Sequence, residues 1–149
     1  LEPAFKTLCT VLLSPFPASC KFALIRTVSN AWNITARYHQ PVAGCLWGCA
    51  SPAEDRMIHY LACPQIAASA ARLLSINVPS LSASPLPSPF LLLNNCDTRL
   101  STAIFIDGAF FTSNALKHGG SARASAVFAG RVKDMRRRAA PPRIGHVGI

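Results

Sequence analysis

The stretch Gly44-Cys45-Leu46-Trp47-Gly48-Cys49, followed by His59-Tyr60-Leu61-Ala62-Cys63-Pro64, decides how this chain is read. Its pattern is C-x3-C-x9-H-x3-C. Structural zinc takes four nitrogen or sulfur ligands in a tetrahedron, and short spacings within each ligand pair are typical. The two pairs here follow different logic. Gly44 and Gly48 allow the backbone the tight turn that brings the sulfurs of Cys45 and Cys49 inward. His59 and Cys63 stand at i and i+4, one turn apart on one helix face. Four protein ligands leave no open position for a catalytic water, so a single zinc ion bound here is expected to be structural. Its binding energy would be folding energy, on the order of 10 kcal/mol or more in small zinc modules. Trp47 and Tyr60 are placed to pack over the site and exclude water. The alternative reading of the same residues is a set of buried apolar thiols with a partnered histidine.

Outward from this stretch the chain reads as mainly α-helical. Four to five helices surround a small CCHC-type zinc knuckle, with a Ser/Pro-rich flexible linker. A short apolar helix is expected over 3–13, broken by Ser14-Pro15-Phe16-Pro17. A longer one is expected over 18–39, with Phe22, Ile25, Val28, Trp32 and Ala36 as its buried stripe and Arg26, Asn30, Asn33 and Arg37 opposite. Ser51-Pro52-Ala53-Glu54 has a capping-box pattern and starts the helix carrying His59 and Cys63, and the pattern continues over 64–74. The Ser/Pro-rich run that follows divides the chain into helices plus knuckle over 1–76 (knuckle 45–63), a linker over 77–97, a helical pair with a basic end over 98–138, and a loose tail over 139–149. Leu100, Ile104, Phe111 and Ala115 mark the fourth helix, with Gly119-Gly120 as its stop. Val127, Phe128 and Val132 mark the fifth, over 122–137.

Charge narrows the partners. Fifteen Lys and Arg against six acids give the 149-residue chain a formal charge of +9, which favours polyanions. The excess gathers late, at Arg123, Arg131, Lys133, Arg136, Arg137, Arg138 and Arg143. The acids exclude one large class of chemistry. Two-metal phosphoryl transfer needs convergent carboxylates that hold cations about 3.5–4 Å apart. Only Glu54 and Asp55 are close in sequence, and neighbours on a helix point about 100° apart. The chain is therefore not read as an enzyme, and no small-molecule substrate is expected. No apolar stretch reaches the ~20 residues that span a bilayer, and residues 7–13 make a poor signal-peptide core after Glu2. The expectation is a chain that is not secreted, nuclear or cytoplasmic, without a membrane partner. A reducing compartment with one metal site also accounts for the six cysteines more simply than disulfides do.

The run Asn30-Ala31-Trp32-Asn33, Thr35-Ala36-Arg37, Cys45-Leu46-Trp47-Gly48-Cys49, Glu54-Asp55 and His59-Tyr60-Leu61-Ala62-Cys63-Pro64 resembles the cysteine/histidine knuckle downstream of the polymerase in LINE-type (non-LTR) retroelement reverse transcriptases. Asn114-Ala115-Leu116-Lys117-His118-Gly119 is similar to a helix that follows the knuckle in some of these elements. That family often has C-x2-C and H-x4-C, so both spacings here differ by one residue. The resemblance implies a parent RNA-directed DNA polymerase that copies its transcript into the genome. This chain would be its C-terminal fragment, without catalytic machinery, with RNA or DNA and the upstream polymerase domain as partners. Arg26, Arg37, Trp47, Arg136, Arg137 and Arg138 are the residues expected to contact nucleic acid, the arginines through phosphates and Trp47 by stacking on a base. Two other readings stay open: a structural or protein-interaction segment with a zinc-stapled hairpin, and a translated relic without function. Phe105-Ile106-Asp107-Gly108-Ala109 also resembles the first strand of a ribonuclease H domain, but too few acids follow to complete that metal site, and the flanking helical periodicity argues against a strand.

Overall fold

Proline punctuates the first third of the chain and ends its first helix. The computed structural model describes residues 2–29, 31–32, 44–49, 56–77, 96–118 and 123–140. Among these the chain is mainly helical, with six helices and no strand. They are α1 (Glu2–Leu13), α2 (Ala18–Val28), α3 (Met57–Ala62), α4 (Pro64–Leu74), α5 (Cys96–Lys117) and α6 (Ala124–Ala139). α1 ends at Ser14-Pro15, as its sequence predicts.

α2 is shorter than expected and turned about its axis. It ends at Val28 rather than continuing to residue 39. Ser29 closes it: both its backbone N–H and its hydroxyl donate to the Ile25 carbonyl, at 3.0 and 2.8 Å. The chain then wraps back, with the Ala31 N–H donating to the Arg26 carbonyl and the Arg26 guanidinium to the Ala31 carbonyl. The buried face is Cys20, Ala23, Leu24 and Thr27, spaced i, i+3, i+4, i+7. The predicted stripe of Phe22, Ile25 and Val28 is instead about half exposed. Small side chains let α2 approach its neighbour closely, so the large ones lie at the flank. Trp32 is buried as expected, but from outside the helix, with its indole N–H donating to the Thr27 hydroxyl at 2.9 Å.

α5 is the centre of the fold. From Thr102 to Ala109 every residue is buried, because α2, α3, α4 and α6 all pack on this helix. Its residues Cys96 and Asp97 fall in the stretch expected to be linker, so the helix reaches further back than predicted. Residues 78–95 of that linker, the proposed capping box at 51–54, the Gly119-Gly120 stop and the tail beyond 140 lie outside the described residues. Helices on both sides of the linker share one core, from Leu24 and Ile66 to Phe105 and Phe128.

α5 and α6 approach closely at Gly108. A β-carbon there would stand 2.7 Å from Cε2 of Phe128. The Phe128 ring is fully buried and wedged between Trp47 and Phe105, at centroid distances of 5.4 and 6.5 Å, so it has little room to yield. Gly108→Ala should therefore cost about 1–3 kcal/mol through overpacking, despite alanine's better helix propensity. A urea titration measures this, and a stabilised variant would contradict the close approach. Beside Gly108, Asp107 forms a two-pronged ion pair with Arg131 of α6, at 2.6 and 3.0 Å. Asp107 is mid-helix and 1% exposed, which disposes of the ribonuclease H strand.

Candidate metal centre

Two short pieces of chain bring the four ligand residues together. In the first, the Gly48 N–H donates to the Cys45 carbonyl at 2.9 Å, closing a turn. Gly48 adopts a positive φ of 70°, which glycine takes without the cost a side chain would add. The second piece corrects an expectation. His59 lies in α3, but Cys63 belongs to no helix: with φ −59° and ψ 127° it ends α3 and begins α4. Pro64 is the reason, since its ring drives the preceding residue out of the helical region and then suits the first position of a new helix. The two ligands therefore come from a helix and from the break after it, not from one helical face.

The geometry is that of a coordination shell. The sulfurs of Cys45, Cys49 and Cys63 and a ring nitrogen of His59 all lie within 4.8 Å of one another. Cys45 Sγ is 3.8 Å from Cys63 Sγ, and Cys49 Sγ is 3.3 Å from His59 Nε2. A tetrahedron with bonds of about 2.3 Å has edges of roughly 3.8 Å between sulfurs, and slightly shorter ones to nitrogen. These four residues could hold one metal ion.

The electrostatics suit a cation. Burial pushes the Cys63 thiol up to about 12, opposed by the N–H groups of Ile66 and Gln65 in the first turn of α4. Burial likewise raises Cys45, opposed by the N–H groups of Cys49 and Trp47. The backbone thus aims dipoles at sulfurs whose anionic form is disfavoured by burial, and a divalent ion held here would supply the missing positive charge. Burial lowers the His59 pKa, favouring the neutral imidazole that can donate a lone pair.

Aromatic rings lock the centre into the fold. Tyr60 is fully buried, meets the His59 ring edge-on at 5.7 Å and stacks on Trp32 at 6.3 Å. Trp47 is 8% exposed and packs edge-on against Phe128 of α6. Its indole N–H finds no acceptor among the described residues. Both tryptophans therefore tie the centre to the core, and Trp47 is largely buried there rather than standing free on the surface.

The arginines expected to meet phosphate divide into groups. Arg26 packs its guanidinium 4.7 Å from the centre of the Phe22 ring and bonds the Ala31 carbonyl, an internal role. Arg37 lies outside the described residues. Arg136 and Arg137 are exposed on the last turn of α6. Arg138 is exposed too, although it pairs with Asp134 at 3.1 Å. Lys133 and Arg123 add exposed charge along α6. Lys133, Arg136 and Arg137 border a shallow groove floored by Leu73, Ala129 and Val132. Arg131, counted with the basic run in the sequence, is instead held by Asp107, and no local signal in the sequence points to that partner.

Among the described residues no helix is long and apolar enough to cross a membrane. Comparison with family models, with curated proteins and with solved structures finds no match to this chain.

Proposed function

We propose that this chain is a zinc-stapled helical module that holds nucleic acid by its phosphates. The zinc part rests on one observation: four ligand atoms from two separate stretches converge within 4.8 Å. Three sulfurs and one imidazole form the donor set that zinc prefers, and four protein ligands fill its tetrahedron, so the ion's role is structural. The ion joins the Cys45–Cys49 turn to the α3–α4 junction, and Trp47 passes that constraint to α6.

The nucleic-acid part rests on charge. The chain carries +9, and Lys133, Arg136 and Arg137 gather beside one groove. Such a surface favours a polyanion without sequence preference. The likeness to the knuckle of LINE-type reverse transcriptases supports RNA or target DNA as the polyanion, and an upstream polymerase domain as the neighbour. Binding to a labelled single-stranded RNA should weaken steeply with salt. Arg136→Ala/Arg137→Ala should reduce the slope of log K against log salt by about 1.5, at unchanged zinc content. An unchanged slope would contradict the assignment of this face.

A second reading has a specific observation behind it. Arg26 and Trp47 are used inside the fold, and arginines at the end of α6 also complement the helix dipole. On that reading the zinc only staples a scaffold for protein contacts. Full zinc occupancy with no salt-dependent RNA or DNA binding would select it.

A further inference from the structure

The four ligands are not equivalent, and the difference concerns oxidation. Cys45 Sγ and Cys63 Sγ stand 3.8 Å apart, whereas Cys49 Sγ has His59 Nε2 as its near neighbour at 3.3 Å. Cys45 is partly exposed, while Cys63 is completely buried. Cys49 is partly exposed as well, so a solvent-borne oxidant reaches both, but Cys45 has the Cys63 sulfur directly behind it whereas Cys49 faces the His59 ring. A disulfide needs a sulfur–sulfur bond of about 2.0 Å, so the two sulfurs must close by under ~2 Å. Gly44 and Gly48 flank the short Cys45 turn, and a β-carbon added at either would meet nothing within 4 Å, so the backbone on both sides of Cys45 is not hemmed in by neighbours.

We propose that Cys45 is the oxidation site of this chain, and that Cys63 resolves it in a disulfide that expels the metal. The inference rests on the zinc reading above and extends it to regulation. The oxidant is a peroxide. The Cys45 thiolate attacks one oxygen of hydrogen peroxide, the O–O bond breaks, and hydroxide leaves behind a sulfenic acid on Cys45. The Cys63 thiolate then attacks the Cys45 sulfur, the S–O bond breaks, and a second hydroxide departs. Two protons from solvent convert both hydroxides to water. Two electrons pass from the sulfurs to the peroxide. A zinc ion held by the four residues would then keep only Cys49 and His59 as ligands, too few to fill its tetrahedron, so the disulfide would favour its release. Among the other described cysteines, Cys20 is fully buried in the face of α2 that packs on α5, which keeps an oxidant from it.

The test treats reduced, zinc-loaded full chain with stoichiometric hydrogen peroxide. Released metal is read by a chromophoric chelator, and linkage by mass spectrometry of non-reduced peptides. Cleavage after Arg37, Arg56 and Arg72 puts Cys45 and Cys49 in one peptide and Cys63 in the next. The expected result is one zinc released per crosslink between these peptides, reversed by a thiol reductant. The crosslink should persist in Cys49→Ala and vanish in Cys45→Ala, both treated without metal so that loss of zinc affinity does not enter. A Cys45–Cys49 loop, or zinc lost without a crosslink, would overturn the proposal. Metal analysis before oxidation separates the two claims. Absence of zinc at that stage counts against the metal reading, while the crosslink in metal-free chain still decides the pairing.

Discussion

Removing the metal with a chelator should lower the melting temperature by roughly 10–15 °C and make the loss of helix less cooperative. The size follows from linkage. A ligand that binds only the folded state, at a thousand times its dissociation constant, stabilises by about 4 kcal/mol. For a domain near this size each kcal/mol moves the midpoint by about 2–4 °C. The location of the effect follows from the fold. α3 is six residues long, too short to persist unaided, and the break at Cys63 separates it from α4. The Cys45–Cys49 turn has no helix of its own. α5 and α6, by contrast, bury a shared aromatic and aliphatic face and should remain helical without metal. Lowering the pH should mimic the chelator, because protons compete with zinc for the thiolates and for His59. Circular dichroism during titration with chelator, repeated at several pH values, checks both statements. A melting temperature indifferent to metal would contradict them.

Breaking the Asp107–Arg131 pair should be nearly as damaging, at about 3–5 kcal/mol for removal of one partner. The two halves are unequal. Asp107 is 1% exposed, so Arg131→Met strands a carboxylate in the core. The Arg131 side chain is 16% exposed, and in Asp107→Leu its guanidinium can turn toward Asp134, 3.6 Å away, and toward solvent. Burial disfavours the Arg131 charge, but the hydrogen bonds and charge of Asp107 outweigh it and raise its pKa, so the arginine is firmly charged in the fold. Arg131→Met should thus cost more than Asp107→Leu. The double variant should recover part of the loss, since two apolar groups leave no charge unpaired. Urea titrations of the three variants form the cycle, and simple additivity would contradict a coupled pair.

How much of this could be read from the sequence depended on distance along the chain. The Cys45, Cys49, His59 and Cys63 cluster was legible because chemistry-bearing residues at short spacing need no knowledge of the rest of the fold. The mainly helical class was legible from periodicity at Ile104, Phe128 and Val132, and from the prolines that end α1. The break at Cys63 was written in Pro64, but the i, i+4 spacing of His59 and Cys63 favoured one continuous helix and hid it. The buried face of α2 was obscured by size. Phe22 and Ile25 outweigh Cys20, Ala23 and Thr27 in any hydrophobic pattern, yet close packing on α5 selects the small residues. Phe22 is tolerated outside because the Arg26 guanidinium covers its ring and Phe110 meets its edge. The Asp107–Arg131 pair could not be read at all, since it joins two helices across 24 residues. Trp47 shows the same limit: its place between Cys45 and Cys49 allowed both packing over the site and stacking on a base, and its contact with Phe128 of α6 could not be read from the sequence.

The central claim is that Cys45, Cys49, His59 and Cys63 close on one zinc ion. Zinc analysis of the reduced, purified chain, joined to X-ray absorption at the zinc edge, tests it most directly. The account predicts one zinc per chain, with three sulfurs at about 2.3 Å and one nitrogen at about 2.0–2.1 Å. It also predicts loss of that zinc in Cys49→Ser/Cys63→Ser. A chain that binds no zinc, or binds it through oxygen with the double variant unaffected, would contradict the account.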